Sequence, residues 1–125
     1  MTPKTLLLVD DEPAIVEILK MRLEYHGYTV LTAYDGQDAL EKARDLMPDL
    51  ILLDIMLPKL DGYKVCKLLK FDELYRHIPI IMQTALAQPE DQRLAYESGA
   101  DAYLIKPFET TALLATLAKW WPVVS

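Results

Sequence analysis

The chain has 125 residues, enough for one hydrophobic core and too few for two independent ones. Its 13 basic and 19 acidic residues leave a formal net charge of −6, which argues against nonspecific nucleic-acid binding. A hydrophobic share of 52% excludes a disordered chain, and a single cysteine, Cys66, excludes a disulfide scaffold. The first apolar run, Leu6 to Val9, is followed at once by acids, so neither a secretory leader nor a membrane span is expected. The expectation is one soluble, cytoplasmic domain over residues 1–125, with its core at about 4–119.

Leu6-Leu7-Leu8-Val9 is a continuous apolar run of the kind that forms a strand covered on both faces. Asp10-Asp11-Glu12-Pro13 ends it, and Pro13 suits a first helical turn because its missing N–H is not needed there. Ile15, Ile18, Leu19 and Leu23 follow at helical spacing, and Gly27 offers a C-terminal stop. Tyr28 to Ala33 reads as a second strand. Asp35 caps a helix running to Leu46, with Leu40 and Ala43 facing inward, and Pro48 ends that unit.

Leu50-Ile51-Leu52-Leu53 is the strongest buried-strand signal, and it stops at Asp54. Pro58, Asp61 and Gly62 mark a loop, with a helix from Tyr63 to about Lys70. Pro79 to Met82 opens a fourth strand that reaches Gln83 and Thr84. Pro89 starts a helix ending at Gly99. Ala102 to Ile105 is a short fifth strand before Lys106-Pro107. Glu109 to Trp120 forms the last helix, stopped by Pro122. Five strand–helix alternations imply an α/β fold, a doubly wound parallel sheet with helices on both faces. Right-handed crossovers favour the flavodoxin-like strand order 2-1-3-4-5.

The chemistry is written at the strand ends. Asp10 and Asp11 follow strand one, Asp54 strand three, Thr84 strand four and Lys106 strand five. Ligands of open α/β sheets bind outside these carboxyl ends, near the switch in strand order. Three carboxylates gathered there repel one another unless a cation compensates. Mg²⁺ suits oxygen donors and retains several waters. Lys106 adds positive charge for an incoming phosphoryl group, Asp54 is a candidate nucleophile, and the Thr84 hydroxyl is a candidate donor to a phosphoryl oxygen. Taken singly, each has a plainer reading: Asp10, Asp11 and Glu12 as helix caps, Asp54 as a turn residue, Lys106 as a surface lysine.

The segments LLLVDDEP at 6–13, LILLDIMLPKLDG at 50–62, the Thr84-Ala85 pair and GADAYLIKPF at 99–108 together resemble a response-regulator receiver domain. The resemblance implies that Asp54 is the phosphoacceptor, that Asp11 ligates Mg²⁺ (or Mn²⁺) directly, and that Asp10 acts largely through metal-bound water. It assigns the backbone carbonyl of Met56 to the same metal site. It makes Thr84 the switch hydroxyl, Lys106 the phosphate-pairing lysine and Tyr103 the rotating aromatic, and it implies a cis bond before Pro107. The phosphodonor would be a histidine kinase or a phosphotransfer protein. The signal would leave through the fourth helix, fifth strand and fifth helix, to a homodimer or another partner, without direct nucleic-acid binding or membrane insertion.

Departures from the family pattern are Leu57, Gln83 and Leu86, the last near the phosphorylated site. The fifth helix carries few charges, mainly Glu109 and Lys119, and more apolar material than one buried stripe needs. One of Trp120 and Trp121 is expected to cap the core and the other to lie half exposed, or both to serve a partner surface. Two other readings stay open. One is a small Mg²⁺-dependent phosphohydrolase, although Met56 stands where such an enzyme usually carries an acid. The other is a pseudo-receiver that binds partners without being phosphorylated.

Overall fold

The computed structural model describes residues 4–120. Five strands alternate with five helices: β1 (Thr5–Val9), α1 (Pro13–Tyr25), β2 (Thr29–Ala33), α2 (Gly36–Leu46), β3 (Leu50–Asp54), α3 (Gly62–Lys70), β4 (Ile80–Thr84), α4 (Pro89–Glu97), β5 (Ala102–Ile105) and α5 (Thr110–Leu117). All strand pairs are parallel and the order is β2-β1-β3-β4-β5, as the sequence implied.

Alternation along the strands divides the core into two layers. Leu6, Leu8, Leu50, Leu52 and Ile81 face α1 and α5, where they meet Val16, Leu19, Leu23, Leu113 and Leu117. Leu7, Val9, Ile51, Leu53, Ile80 and Met82 face α2, α3 and α4, against Leu40, Val65, Leu69 and Ala95. Because both faces are covered, the central strands carry no polar alternation, and this is why they read as apolar runs.

Helix ends follow local chemistry. The Asp35 and Asp61 side chains accept from the Asp38 and Lys64 backbone N–H groups and so cap α2 and α3. Gly27 and Gly99 adopt positive φ just after α1 and α4, a conformation that costs glycine little. Several boundaries shift by one to three residues from the sequence reading. β2 begins at Thr29 rather than Tyr28, and β4 at Ile80 rather than Pro79. α3 takes in Gly62, because Asp61 supplies the cap just before it. α5 ends at Leu117, and the three residues through Trp120 form turns.

The buried face of α1 is also rotated from expectation. Ile18 is 45% exposed, and the fully buried Val16 takes its place beside Leu19 and Leu23. Trp120 is half-buried against the α1/α5 layer. Trp121 and Pro122 lie outside the described residues. No helix among the described residues is long and apolar enough to cross a membrane.

Candidate functional site

The sheet register brings the strand ends together. Val9 lies beside Leu53, Asp54 beside Gln83, and Thr84 beside Ile105. The Lys106 backbone N–H donates to the Thr84 carbonyl (2.7 Å), which fixes the first residue beyond β5 against the end of β4. The Lys106–Pro107 peptide bond is cis. The Lys106 side chain then reaches across the sheet. Its Nζ donates to Asp10 Oδ2 (2.5 Å) and to Asp54 Oδ2 (3.0 Å). One ammonium thus bridges residues 96 and 52 positions away in the chain.

Asp10 is fully buried and Asp54 is 7% exposed, whereas Asp11 and Glu12 are open to solvent. Asp10 Oδ1 accepts from the Glu12 backbone N–H (3.0 Å), so the acid both caps the turn into α1 and holds Lys106. Asp54 Oδ1 accepts from the Ile55 N–H (2.8 Å). Burial pushes the Asp54 carboxyl above its ordinary range, more than the Lys106 hydrogen bond and charge pull it down; the nearby Asp10 charge adds to the rise. Burial alone would lower the Lys106 ammonium, but its bonds to Asp10 and Asp54 outweigh that and hold it above the ordinary lysine value.

Asp10, Asp11 and Glu12 each place a carboxylate oxygen within 4.8 Å of the others. This all-oxygen, anionic donor set fits a hard divalent cation such as Mg²⁺. Glu12, read from the sequence only as a cap, belongs to this group. Asp54 is tied to the group through Lys106 rather than counted within it. Met56 follows directly on the buried Ile55, with its side chain 65% exposed.

Thr84 is buried, and its Oγ1 accepts from the Leu86 N–H (3.2 Å). Tyr103 is half-buried in the α2–α4 layer, and its hydroxyl donates to the Leu86 carbonyl. The two residues singled out for the switch therefore meet the same loop residue, one through each of its backbone groups. The sequence reading treated Leu86 only as a bulky neighbour of the site.

Gln83 has a role that its sequence position does not announce. It is fully buried, and its Nε2 donates to the Val9 carbonyl (3.2 Å), spanning from β4 to the end of β1. Its Oε1 has no hydrogen-bond partner among the described residues. Gln83 lines a cleft of about 200 Å³ with Ile18, Arg22, Lys106, Pro107 and Phe108, so Lys106 is shared between the cleft and the acid cluster.

The receiver-domain resemblance extends across the chain. The family described as "Response regulator receiver domain" matches residues 6–118. The chain is 47% identical over 110 residues to the DNA-binding dual master transcriptional regulator RpaA of Synechocystis sp., covering 88% of this chain and 46% of that protein. It is 52% identical over 105 residues to the alkaline phosphatase synthesis transcriptional regulatory protein PhoP of Bacillus subtilis, covering 84% and 43%. The chain thus spans less than half the length of these relatives. Among solved structures, chemotaxis response regulator CheY4 of Vibrio cholerae superposes with a TM-score of 0.88 at 35% identity, covering 94% of this chain and 98% of that one. The BeF3-activated N-terminal receiver domain of Klebsiella pneumoniae RstA gives 0.87 at 32%, covering 93% and 97%. With its strand order, its acid cluster and the lysine that joins them, the chain belongs to the CheY-like response-regulator receiver domains.

Proposed function

We propose that the chain is a phosphorylation-dependent signalling switch in which Asp54 accepts a phosphoryl group from a phosphohistidine. The observation that carries this is the Lys106 ammonium held between Asp10 and Asp54, which makes one site from the ends of three strands. An Asp54 carboxylate oxygen attacks phosphorus, the N–P bond of the donor breaks, and the imidazole nitrogen keeps the electron pair. Lys106 is placed to pair with the added charge, and Thr84 to donate its hydroxyl to a phosphoryl oxygen. Asp10, Asp11, Asp54 and the Met56 carbonyl are the residues that would hold Mg²⁺ (or Mn²⁺), with Glu12 beside them. The cation would supply charge neutralisation during transfer.

The donor is a histidine kinase or a phosphotransfer protein, which places the domain in the cytoplasm. Phosphorylation shifts a pre-existing equilibrium through Thr84 and Tyr103 toward a state read on the α4–β5–α5 surface, by a homodimer or another partner. The sparse charge of α5 favours an apolar contact there over a lattice of ion pairs. DNA binding, a property named for RpaA, is not expected of these 125 residues themselves. A phosphohydrolase reading loses support at Met56, a side chain with no proton to give where an acid would be needed.

Intact-mass measurement after incubation with Mg²⁺ and acetyl phosphate tests this. The wild type should gain a single labile phosphoryl unit, and Asp54→Asn should gain none. An unmodified wild type, with acetyl phosphate and with phosphohistidine donors alike, would leave a pseudo-receiver that only binds partners.

A further inference from the structure

Tyr63 has no part in the phosphoryl chemistry, yet it joins the phosphoacceptor strand to α4. It begins where Asp54 leaves off. The N–H of Gly62 donates to the Ile55 carbonyl (2.8 Å). A Cβ on Gly62 would lie 2.2 Å from the Asp54 carbonyl oxygen and 2.7 Å from Ile55 Cα. The first turn of α3 is therefore seated against the backbone of Asp54 itself. Asp61 caps that turn through the Lys64 N–H, so the turn has little freedom to slide.

From this seat the Tyr63 ring packs into the α2–α4 layer, and its hydroxyl donates to the Asp91 carbonyl in the first turn of α4 (3.3 Å). A carbonyl oxygen has two lone pairs, so Asp91 can accept this bond in addition to a helical one. Tyr103 holds the loop that leads into the same end of α4, bonding from β5 to the carbonyl of Leu86, five positions before Asp91. Ala95 is the one buried residue within α4 itself.

We propose that Tyr63 is a positioning residue that couples Asp54 to α4 by a route separate from Thr84 and Tyr103, an inference that rests on the phosphoacceptor reading of Asp54. The route runs from the Asp54 backbone through Gly62 to the Tyr63 hydroxyl and Asp91. The two tyrosines form a clasp in which each bond restrains the α4 end independently, so losing either one loosens it in part and losing both frees it. Movement of the loop after Asp54 loosens one side, and movement of β5 loosens the other.

Hydrogen exchange read segment by segment separates this from a packing role. Tyr63→Phe keeps the ring and removes only the hydroxyl. In the unmodified protein it should speed exchange of the α4 amides about two- to tenfold, the range expected for one lost hydrogen bond, and leave the central strands unchanged. A uniform rise across all elements, or no change in α4, overturns the proposal. With acetyl phosphate and Mg²⁺ added, Tyr103→Phe should still show a phosphorylation-dependent change in α4 exchange, and Tyr63→Phe/Tyr103→Phe should show none. If Tyr103→Phe alone abolishes the response, Tyr63 carries no independent coupling. Intact mass on the same samples reports whether Asp54 was phosphorylated, so failure of the phosphoacceptor reading is seen separately from failure of the clasp.

Discussion

Burial acts on individual groups in ways that solution can report. Cys66 is fully buried in the α2–α4 layer, and desolvation pushes its thiol from 9.0 up to about 11, with the Ser98 hydrogen bond and the Lys70 charge opposing. The folded thiol therefore keeps its proton where the unfolded one loses it. Between pH 9 and 11 the unfolded chain binds fewer protons, so stability falls as pH rises through that window. The loss reaches about 2–3 kcal/mol by the upper end. Urea titrations at pH 8 and pH 11 should show the wild type losing that much more than Cys66→Ala. The same burial makes Cys66 inert to alkylation in the native protein at neutral pH.

The candidate site was legible at this scale because acids ending apolar runs stand out in one dimension. Asp10, Asp54 and Lys106 meet as their strand-end positions imply. Gln83 was not legible in the same way. Its bond to Val9 joins positions 74 apart and follows from where β4 stops relative to β1, which no local pattern encodes. Tyr63 likewise reads as one more half-buried aromatic until α4 is placed beside it.

Among the elements, the sharpest constraint is where α2 meets the loop after β3. The Gly36 N–H donates to the Pro58 carbonyl (3.1 Å), and a Cβ on Gly36 would fall 1.7 Å from the Leu60 carbonyl oxygen. The obstacle is backbone, so a side chain here must displace either α2 or the loop that follows Asp54. Gly36→Ala should cost about 1–3 kcal/mol despite alanine's better helix propensity. Chemical denaturation measures it, and a neutral or stabilising result would show that the loop yields freely. Strand identities were readable because continuous apolar runs admit few alternatives. The face of α1 was not, because Ile15, Val16, Ile18 and Leu19 offer apolar side chains in more than one direction. Packing selected Val16 and left Ile18 in the cleft wall.

Across the whole molecule, one sheet serves two cores, and neither is complete without it. Leu52 belongs to the α1/α5 layer and Leu53 to the α2–α4 layer, both with no exposed surface. Leu52→Ala and Leu53→Ala should each cost about 2–5 kcal/mol. Both should shift the urea midpoint with the slope unchanged, because the layers melt as one cooperative unit. Separate transitions by far-ultraviolet circular dichroism and tryptophan fluorescence would show instead that the layers unfold independently.

The step from Gln83 to Thr84 carries this division to the site. Adjacent in the chain, they belong to opposite sides of the sheet: Gln83 lines the cleft beside α1, and Thr84 bonds the loop that enters α4. The sheet therefore acts as a partition, and substitutions on either side of it are felt in different rooms. A relative could redesign the chamber under α1 at position 83 while the hydroxyl next door kept its bond to the loop entering α4. Sliding β4 forward by a single residue would put Gln83 in Thr84's place, leaving an amide where the hydroxyl belongs and Met82 in the chamber under α1.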